Sequence, residues 1–268
     1  MPRHVLIHPG FHKTGTSTLQ RNLLSQADRL SPRLRVMLND DLIEATRLAR
    51  KFSVHSQDSA LDAFTTAIAT ALEGLDMQDD RPLLLSSEAL VGQLPGRKQV
   101  AGYDAAAPLM ARTVSALRDR IGQTARITVW FTTRAPEPWM KSAYYQNLRQ
   151  RRLCEDFESH ARRLERAARL DDFVAQTRAE LGDRADVTAT RIETCAPHRL
   201  GPLGVALDLL GVRSDDLAPV RAHNVQPEQA AAQLLDLNRS RLSDAELAKA
   251  KRKLVRAFRK GDDGAPAG

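Results

Sequence analysis

The sequence predicts an α/β protein with three layers, α/β/α, in which helices cover both faces of a central parallel sheet. Short apolar runs such as VLI (Val5 to Ile7) and ITVWF (Ile127 to Phe131) have the length and continuity of strands that are buried on both faces. Longer segments with apolar residues at helical spacing separate these runs. The 268 residues contain no internal repeat and no convincing linker. We therefore expect a single domain over residues 1–260 and a disordered tail over 261–268.

The strands and helices follow one another along the chain. Four strands are predicted, at residues 4–8, 82–88, 126–134 and 186–192. The first helix should cover residues 16–26 and carry Leu19, Leu23 and Leu24 inward. The remaining helices are predicted at 42–74, at 108–122, from about 138, at 160–181, at 203–210, and twice within 227–260 as a helical C-terminal part. Three of these helices are expected to end at a glycine: Gly74, Gly182 and Gly211.

Composition excludes several classes of protein. The formal charge of +7 lies largely on helix faces such as HARRLERAARL (residues 160–170), and aromatic residues make up only 4% of the chain, so we expect no nucleic-acid partner. No apolar run approaches the roughly 18 residues of a membrane span, and the first apolar run is too short for a signal peptide. Cys154 and Cys195 form no CxxC pair, which argues against a cysteine-built zinc site. We expect a cytoplasmic protein without a metal.

A glycine-containing loop, GFHKTGTST (Gly10 to Thr18), lies between the first strand and the first helix. Gly10, Gly15 and Ser17 fit the P-loop pattern G-x-x-x-x-G-K-[ST], but Thr16 occupies the lysine position and the loop's lysine is Lys13. When a strand is followed by a tight loop and then a helix, several backbone N–H groups point to one place, where an anion can bind. Thr14, Thr16, Ser17 and Thr18 add hydroxyl groups. We interpret the loop as a phosphate site in a P-loop nucleotide-binding type of fold; an ordinary turn with a helix cap is the alternative.

The displaced lysine bears on the ligand. In kinases and NTPases the lysine beside the Ser/Thr works together with the Mg²⁺ bound to that hydroxyl. Thr16 in its place favours a ligand that depends less on a metal.

A second segment, TTRAPEPWMKSAYYQNLRQ (residues 132–150), supplies another anion site. Arg134 stands at the carboxyl end of a predicted strand, the edge at which open α/β sheets bind ligands. Ser142 follows about one turn into the next helix, after Pro138. An arginine fork with a hydroxyl suits a separate phosphate. The alternative is a buried arginine and a helix start packed on Trp139 and Tyr144.

Together the two segments resemble the PAPS-dependent sulfotransferases, and especially the uncharacterised bacterial members (PAPS is 3′-phosphoadenosine 5′-phosphosulfate). HKTGTSTLQ looks like the family's 5′-phosphosulfate loop, with its lysine in K-[TS]-G-[TS], and RAPEPWMKSAYYQ looks like its 3′-phosphate element. VTATRIETC (187–195) is similar to a later family strand, with Ile192 where the family usually has tyrosine, and residues 222–239 look like the C-terminal part of bacterial relatives. FRKGDDG (258–264) matches the family's R-K-G-x-x-G segment, although we favour the interpretation that Gly261 is a helix cap.

The resemblance implies transfer of a sulfuryl group from PAPS to a hydroxyl or amine on a small-molecule or carbohydrate acceptor. The product is 3′,5′-ADP and no metal takes part. Lys13 would neutralise the leaving phosphate, with Thr14, Gly15, Thr16, Ser17 and Thr18 around the phosphosulfate and Arg134 and Ser142 on the 3′-phosphate.

Two residues are candidates for the general base. Glu88 is the first, at the end of the predicted strand LLLSSE; the alternative is a helix start with Ser87 as N-cap. His12 is the second, and a loop-packing role is its alternative. Segments 27–74 and 89–107 are expected to form the acceptor pocket, and the oligomeric state is not predicted.

Two other functions stay open at this point. One is a P-loop kinase or NTPase that uses Mg-ATP, and the other is a non-catalytic nucleotide-binding relative.

Overall fold

Helices and strands alternate through a computed structural model that describes residues 1–195, 197–219 and 229–262. The strands are β1 (His4–His8), β2 (Arg35–Met37), β3 (Leu83–Ser86), β4 (Arg126–Thr133) and β5 (Asp186–Arg191). The helices are α1 (Thr16–Ser25), α2 (Ala27–Leu30), α3 (Ile43–His55), α4 (Asp58–Glu73), α5 (Ala106–Ile121), α6 (Pro136–Gln150), α7 (Phe157–Ala168), α8 (Leu170–Leu181), α9 (Ile192–Cys195), α10 (Pro202–Leu210), α11 (Gln229–Arg239) and α12 (Asp244–Asp262). Short 3-10 turns cover Asn39–Leu42 and Glu88–Val91.

The five strands form one parallel sheet in the order β2-β3-β1-β4-β5. β1 is central, so the chain builds outward first on the β3 side and then on the β4 side. In open α/β sheets the ligand crevice lies at this switch point, outside the carboxyl ends of the strands. The loops after β1, β3 and β4 therefore meet at one edge. The predicted central parallel sheet is confirmed.

Alternate residues of β1 separate the two helical layers, because successive side chains of a strand point to opposite faces. Val5 and Ile7 belong to a large core shared with α3, α4, α5 and α8, whereas Leu6 belongs to a second core with α1 and α10. This arrangement is the predicted α/β/α layering. A smaller apolar cluster joins Tyr145 and Leu148 of α6 to Leu234 of α11, so the helical C-terminal part packs on α6.

Two predicted helices are each divided. The segment 42–74 breaks between α3 and α4, where Ser56 has a φ of 50° and Gln57 is extended. The segment 160–181 breaks at Arg169, and its first half starts earlier because the Asp156 side chain accepts a hydrogen bond from the backbone N–H of Ser159 at 2.8 Å. A carboxylate at the N-cap satisfies one of the unpaired amides at a helix start.

Smaller expectations were wrong as well. Strand β2 was not predicted, because three residues carry too little pattern. Leu24 is 65% exposed, since Leu19 and Leu23, four residues apart, already occupy the inward stripe. Helix α6 starts at Pro136 rather than near Pro138.

The C-terminal expectations are only partly covered by the described residues. Helix α12 runs through Gly261 to Asp262, so Gly261 does not end that helix and the first two residues of the predicted tail are helical. The rest of the tail, the end of the RKGDDG segment and residues 222–228 of the family-like stretch lie outside the described residues. Within the described part of the chain, no helix combines the length and apolar character that crossing a bilayer requires.

Candidate active site

The loop after β1 holds its shape through two glycines in the left-handed region. Gly10 has a φ of 52° and Gly15 a φ of 97°. A Cβ atom on Gly10 would lie 2.4 Å from Thr16 Oγ1, and one on Gly15 would lie 2.5 Å from Ile192 Cδ1. Lys13 adopts a φ of 70°, an uncommon conformation for a residue with a side chain. Strained backbone of this kind often marks a functional site.

Helix α1 begins directly behind this loop with no side-chain cap. Gly15 occupies the N-cap, so the first amides of α1 receive no side-chain hydrogen bond from it. The hydroxyl oxygen of Thr16 is buried and has no hydrogen-bond partner within the described residues. Ser17 is exposed and Thr18 is half-buried. An uncapped helix N-terminus with a buried unpaired hydroxyl is suited to an anion.

A chain of hydrogen bonds below the loop fixes its position. Thr14 donates its hydroxyl proton to the carbonyl oxygen of Phe11 at 2.6 Å, so it accepts from Thr132 at 2.8 Å. Thr132 in turn accepts from His8 Nε2 at 3.1 Å, and His8 Nδ1 accepts from Ser86 Oγ at 3.0 Å. His8 is therefore the neutral tautomer with its proton on Nε2. Burial favours the neutral form of His8, because it lowers the pKa of the imidazole to about 3.

This chain changes the expected role of Thr14. Its side chain is fully buried and its proton is committed to Phe11, so Thr14 supports the loop from below. The backbone of Thr14 remains part of the loop that the sequence predicts to bind an anion. The sequence argument assigned nothing to His8 or Thr132, which are 124 residues apart. His8 ends β1 beside Ser86 of β3, and this pairing is apparent only once the fold is known.

Lys13 and Glu88 form the charged centre of the site. Burial lowers the pKa of Lys13 to about 8, with a further lowering by Arg149, Arg134 and Arg97, while Glu88 opposes the shift. Burial also raises the pKa of Glu88, and the cations Lys13, Arg50 and Arg97 oppose that rise. The structure thus brings Glu88 near Lys13, as a base candidate must be. Ser87 makes no side-chain cap for the turn that follows; its hydroxyl donates to Asn39 Oδ1 at 2.6 Å.

His12, the other base candidate, is held by its neighbours. Its carbonyl oxygen accepts a hydrogen bond from Trp139 Nε1 at 2.9 Å, and its Nδ1 lies 3.3 Å from the hydroxyl of Tyr103. Burial, followed by Arg97, Arg50 and Lys13, lowers the pKa of His12 to about 3. So weak a base accepts a proton poorly near neutral pH. This environment favours Glu88 over His12.

Arg134 lies beside the loop, directly after β4. Its guanidinium donates to the carbonyl oxygen of Lys13 at 3.4 Å. Its buried Nε has no hydrogen-bond partner within the described residues, and the nearest carboxylate, that of Glu193, lies 3.9 Å away. Glu193 also accepts from the backbone N–H of Ala135 at 3.4 Å. Arg134 therefore retains capacity to bind an anion next to the loop.

Ser142 is buried in α6, nearly two turns from the start of that helix rather than one. It follows Trp139 by three residues and so shares its side of the helix. Trp139 is the residue that ties α6 to the loop, through His12. Tyr144 instead packs away from the site, against Phe157 and His160.

Residues 1–195, 197–219 and 229–262 contain no group of three or more His, Cys, Asp or Glu side chains placed to hold a metal ion.

Only the comparison with solved structures finds matches to this chain. No protein-family model matches the chain, and no curated protein matches it. A solved structure that the fold resembles is a sulfotransferase from Alicyclobacillus acidocaldarius, with a TM-score of 0.46 and 16% sequence identity over 96% of this chain and 95% of that chain.

Proposed function

We propose that this protein is a PAPS-dependent sulfotransferase, which transfers a sulfuryl group to a hydroxyl or amine of a small-molecule or carbohydrate acceptor and releases 3′,5′-ADP. One observation carries the proposal. Two buried polar atoms that lack a hydrogen-bond partner among the described residues lie on neighbouring segments at one sheet edge: Thr16 Oγ1 on the loop and Arg134 Nε after β4. A ligand with two separate phosphoryl groups suits such a pair of sites.

The residues present fit this cofactor. Lys13, Gly15, Thr16, Ser17 and Thr18 would surround its 5′-phosphosulfate through the ammonium, the amides at the start of α1 and the hydroxyls. Arg134 and Ser142 would hold its 3′-phosphate. When bound, the cofactor supplies a sulfuryl group attached to a good leaving phosphate.

Two side chains would carry the chemistry. The Lys13 ammonium would neutralise the negative charge on the phosphate that leaves the sulfuryl group. Glu88 accepts the proton of the acceptor hydroxyl as its oxygen bonds to sulfur. Because burial raises the pKa of Glu88, it is a better base than an exposed carboxylate.

The sequence lacks two residues that a P-loop enzyme using Mg-ATP would need. Thr16 occupies the position of the P-loop lysine, and β4 ends in Thr132-Thr133, followed by Arg134, rather than in the acidic residue that would share the metal. Both departures favour metal-independent binding.

A test of turnover distinguishes an enzyme from a non-catalytic relative. Transfer from ³⁵S-labelled PAPS is measured against a panel of phenols, alcohols, amines and sugars, for the wild type and for Glu88→Gln. We expect Glu88→Gln to lose about 10²- to 10⁴-fold in turnover while it retains the 3′,5′-ADP affinity of the wild type. Glu165→Gln, an exposed carboxylate of α7, is the matched control and should leave both quantities unchanged.

Two results would contradict this proposal in different ways. A wild type that binds 3′,5′-ADP but transfers to no acceptor of the panel would favour the non-catalytic relative. Full turnover in Glu88→Gln would remove Glu88 as the base.

A further inference from the structure

Three polar side chains close a ring of hydrogen bonds directly before Glu88. Gln20 Nε2 of α1 donates to the carbonyl oxygen of Ser86 at 2.9 Å, and Gln20 Oε1 accepts from Asn39 Nδ2 at 3.1 Å. Asn39 Oδ1 accepts from the Ser87 hydroxyl at 2.6 Å, and the peptide bond between Ser86 and Ser87 completes the ring. The carbonyl acceptor fixes the orientation of the Gln20 amide, which in turn fixes that of Asn39.

The ring joins three elements at the sheet edge where the candidate site lies. Gln20 lies about one turn into α1, whose first residues form the proposed phosphosulfate site. Asn39 begins the 3-10 turn after β2, and Ser86 is the last residue of β3. Ser87 is also held by β1, because its backbone N–H donates to the carbonyl oxygen of His8 at 3.1 Å. The segment that carries the base candidate is therefore fixed to both α1 and β1.

Burial makes the bond to Asn39 important for Ser87. The side chain of Ser87 is fully buried, and its hydroxyl has no other hydrogen-bond partner within the described residues. A buried hydroxyl without a partner costs free energy. If Asn39 is removed, the hydroxyl regains a partner only when its segment moves. Asn39 itself is exposed, so its removal leaves the hydrophobic core unchanged.

Glu88 depends on the conformation of this segment. It follows Ser87 directly and starts a 3-10 turn, while Ser87 keeps extended backbone with a φ of −155°. Burial raises the pKa of the Glu88 carboxyl, and the cations Lys13, Arg50 and Arg97 oppose the rise. A movement of the segment that admits water to the carboxyl would therefore lower this pKa.

We propose that Asn39 is a positioning residue for Glu88: through the Ser87 hydroxyl it holds the segment in the conformation that presents the carboxylate to the acceptor, at a fixed place relative to α1. This inference rests on the proposed function, because it concerns the base of the same site. Asn39 acts only through Ser87 and takes no part in the proton transfer itself.

A titration of Glu88 tests the inference without any need for turnover. Carbon NMR follows the pKa of its carboxyl in protein labelled with δ-¹³C glutamate, and its signal is identified by its loss in Glu88→Gln. We expect this pKa to fall by about half a unit or more in Asn39→Ala and in Ser87→Ala, since a displaced segment admits water. Gln78→Ala removes an exposed amide on the segment that leads into β3, and this matched control should leave the pKa unchanged.

The double variant Asn39→Ala/Ser87→Ala shows whether Asn39 acts through Ser87. If the bond between them carries the effect, the double variant shifts the pKa of Glu88 no further than the larger single shift. Turnover is then measured with PAPS and the acceptor that the wild type sulfates best in the panel. The kcat should fall about tenfold in all three variants, while the KM for PAPS and the 3′,5′-ADP affinity stay within about twofold of the wild type, because the phosphosulfate loop is intact.

Three outcomes overturn the inference: a pKa of Glu88 that does not fall in Asn39→Ala and Ser87→Ala, additive shifts in the double variant, and an undiminished kcat in Asn39→Ala. Failure of the proposed function looks different. If the wild type neither binds 3′,5′-ADP nor consumes PAPS while the pKa falls as expected, the ring still positions Glu88 and the sulfotransferase assignment falls. If Glu88→Gln loses turnover and Asn39→Ala keeps it, only the present inference fails.

Discussion

Replacing Gly15 by alanine tests whether the shape of the loop is what binds the nucleotide. Gly15 has a φ of 97°, and an added Cβ would lie 2.5 Å from Ile192 Cδ1. The left-handed conformation costs an alanine about 1–2 kcal/mol. The contact with Ile192 adds little to this cost, because Cδ1 is the far end of a flexible side chain that can move aside. We therefore expect a total of about 1–2 kcal/mol, or about a 5- to 30-fold change in an equilibrium constant.

Two assays locate that energy. If the loop keeps its native shape in Gly15→Ala, the cost lowers the free energy of unfolding, which urea denaturation measures. If the loop instead relaxes to another shape, the native shape must be restored on binding, and the cost lowers the 3′,5′-ADP affinity that calorimetry measures. The double variant Gly15→Ala/Ile192→Ala removes the contact but not the strain in φ, so it should recover little of the loss. Gly74→Ala is the control: Gly74 ends α4 with a φ of −71° and open space around it. That substitution should be neutral or stabilising by up to about 1 kcal/mol.

The reasoning would be refuted by a Gly15→Ala variant with wild-type stability and wild-type affinity. Full recovery in the double variant would show that the Ile192 contact, and not the backbone, is what requires glycine.

Three further predictions concern charges and buried bonds at the site. The proposed function requires Lys13 to bind the ligand in its ammonium form, which predominates below its pKa of about 8. The affinity for 3′,5′-ADP should therefore fall by up to about tenfold per unit as pH rises above 8. In Lys13→Met, calorimetry should show weak binding without that pH dependence, and a wild-type profile in the variant would contradict the assignment. His8→Leu leaves Ser86 and Thr132 without their shared partner and should lower the unfolding free energy by about 1–3 kcal/mol in urea; an unchanged midpoint would show that the hydrogen-bond chain contributes nothing. Glu193→Gln removes the carboxylate near Arg134 Nε and should tighten 3′,5′-ADP binding by up to about fivefold; weaker binding would mean that Glu193 holds Arg134 in place for the ligand.

Local sequence patterns were sufficient for the elements that build the site. Apolar residues next to a glycine or proline boundary predict three elements: the strand before Gly10, the helix after Gly15 and the strand before Arg134. The strand order of the sheet then places these elements side by side. The divided helices were missed because hydrophobic spacing continues across Ser56 and Arg169 and only the backbone conformation interrupts it.

Long-range partners escaped the sequence analysis for another reason. The bond between His8 and Thr132 spans 124 residues, and the charge of Arg50 acts on Glu88 although the two residues are far apart in the chain. Nothing in the residues around Arg50 distinguishes it from Arg47, which is paired on the surface. Such residues become candidates only when the fold is known.

The most direct test of the nucleotide assignment is calorimetric binding of 3′,5′-ADP without metal, compared with Mg-ATP, on the wild type, on Arg134→Ala and on Arg126→Ala. Arg126 lies at the opposite end of β4, paired with Asp186, and serves as the matched control. Losing charged hydrogen bonds worth about 1.5–3 kcal/mol should weaken 3′,5′-ADP binding to Arg134→Ala by roughly 10- to 150-fold and leave Arg126→Ala unchanged. A preference for Mg-ATP, or equal affinity in wild type and Arg134→Ala, would contradict the account.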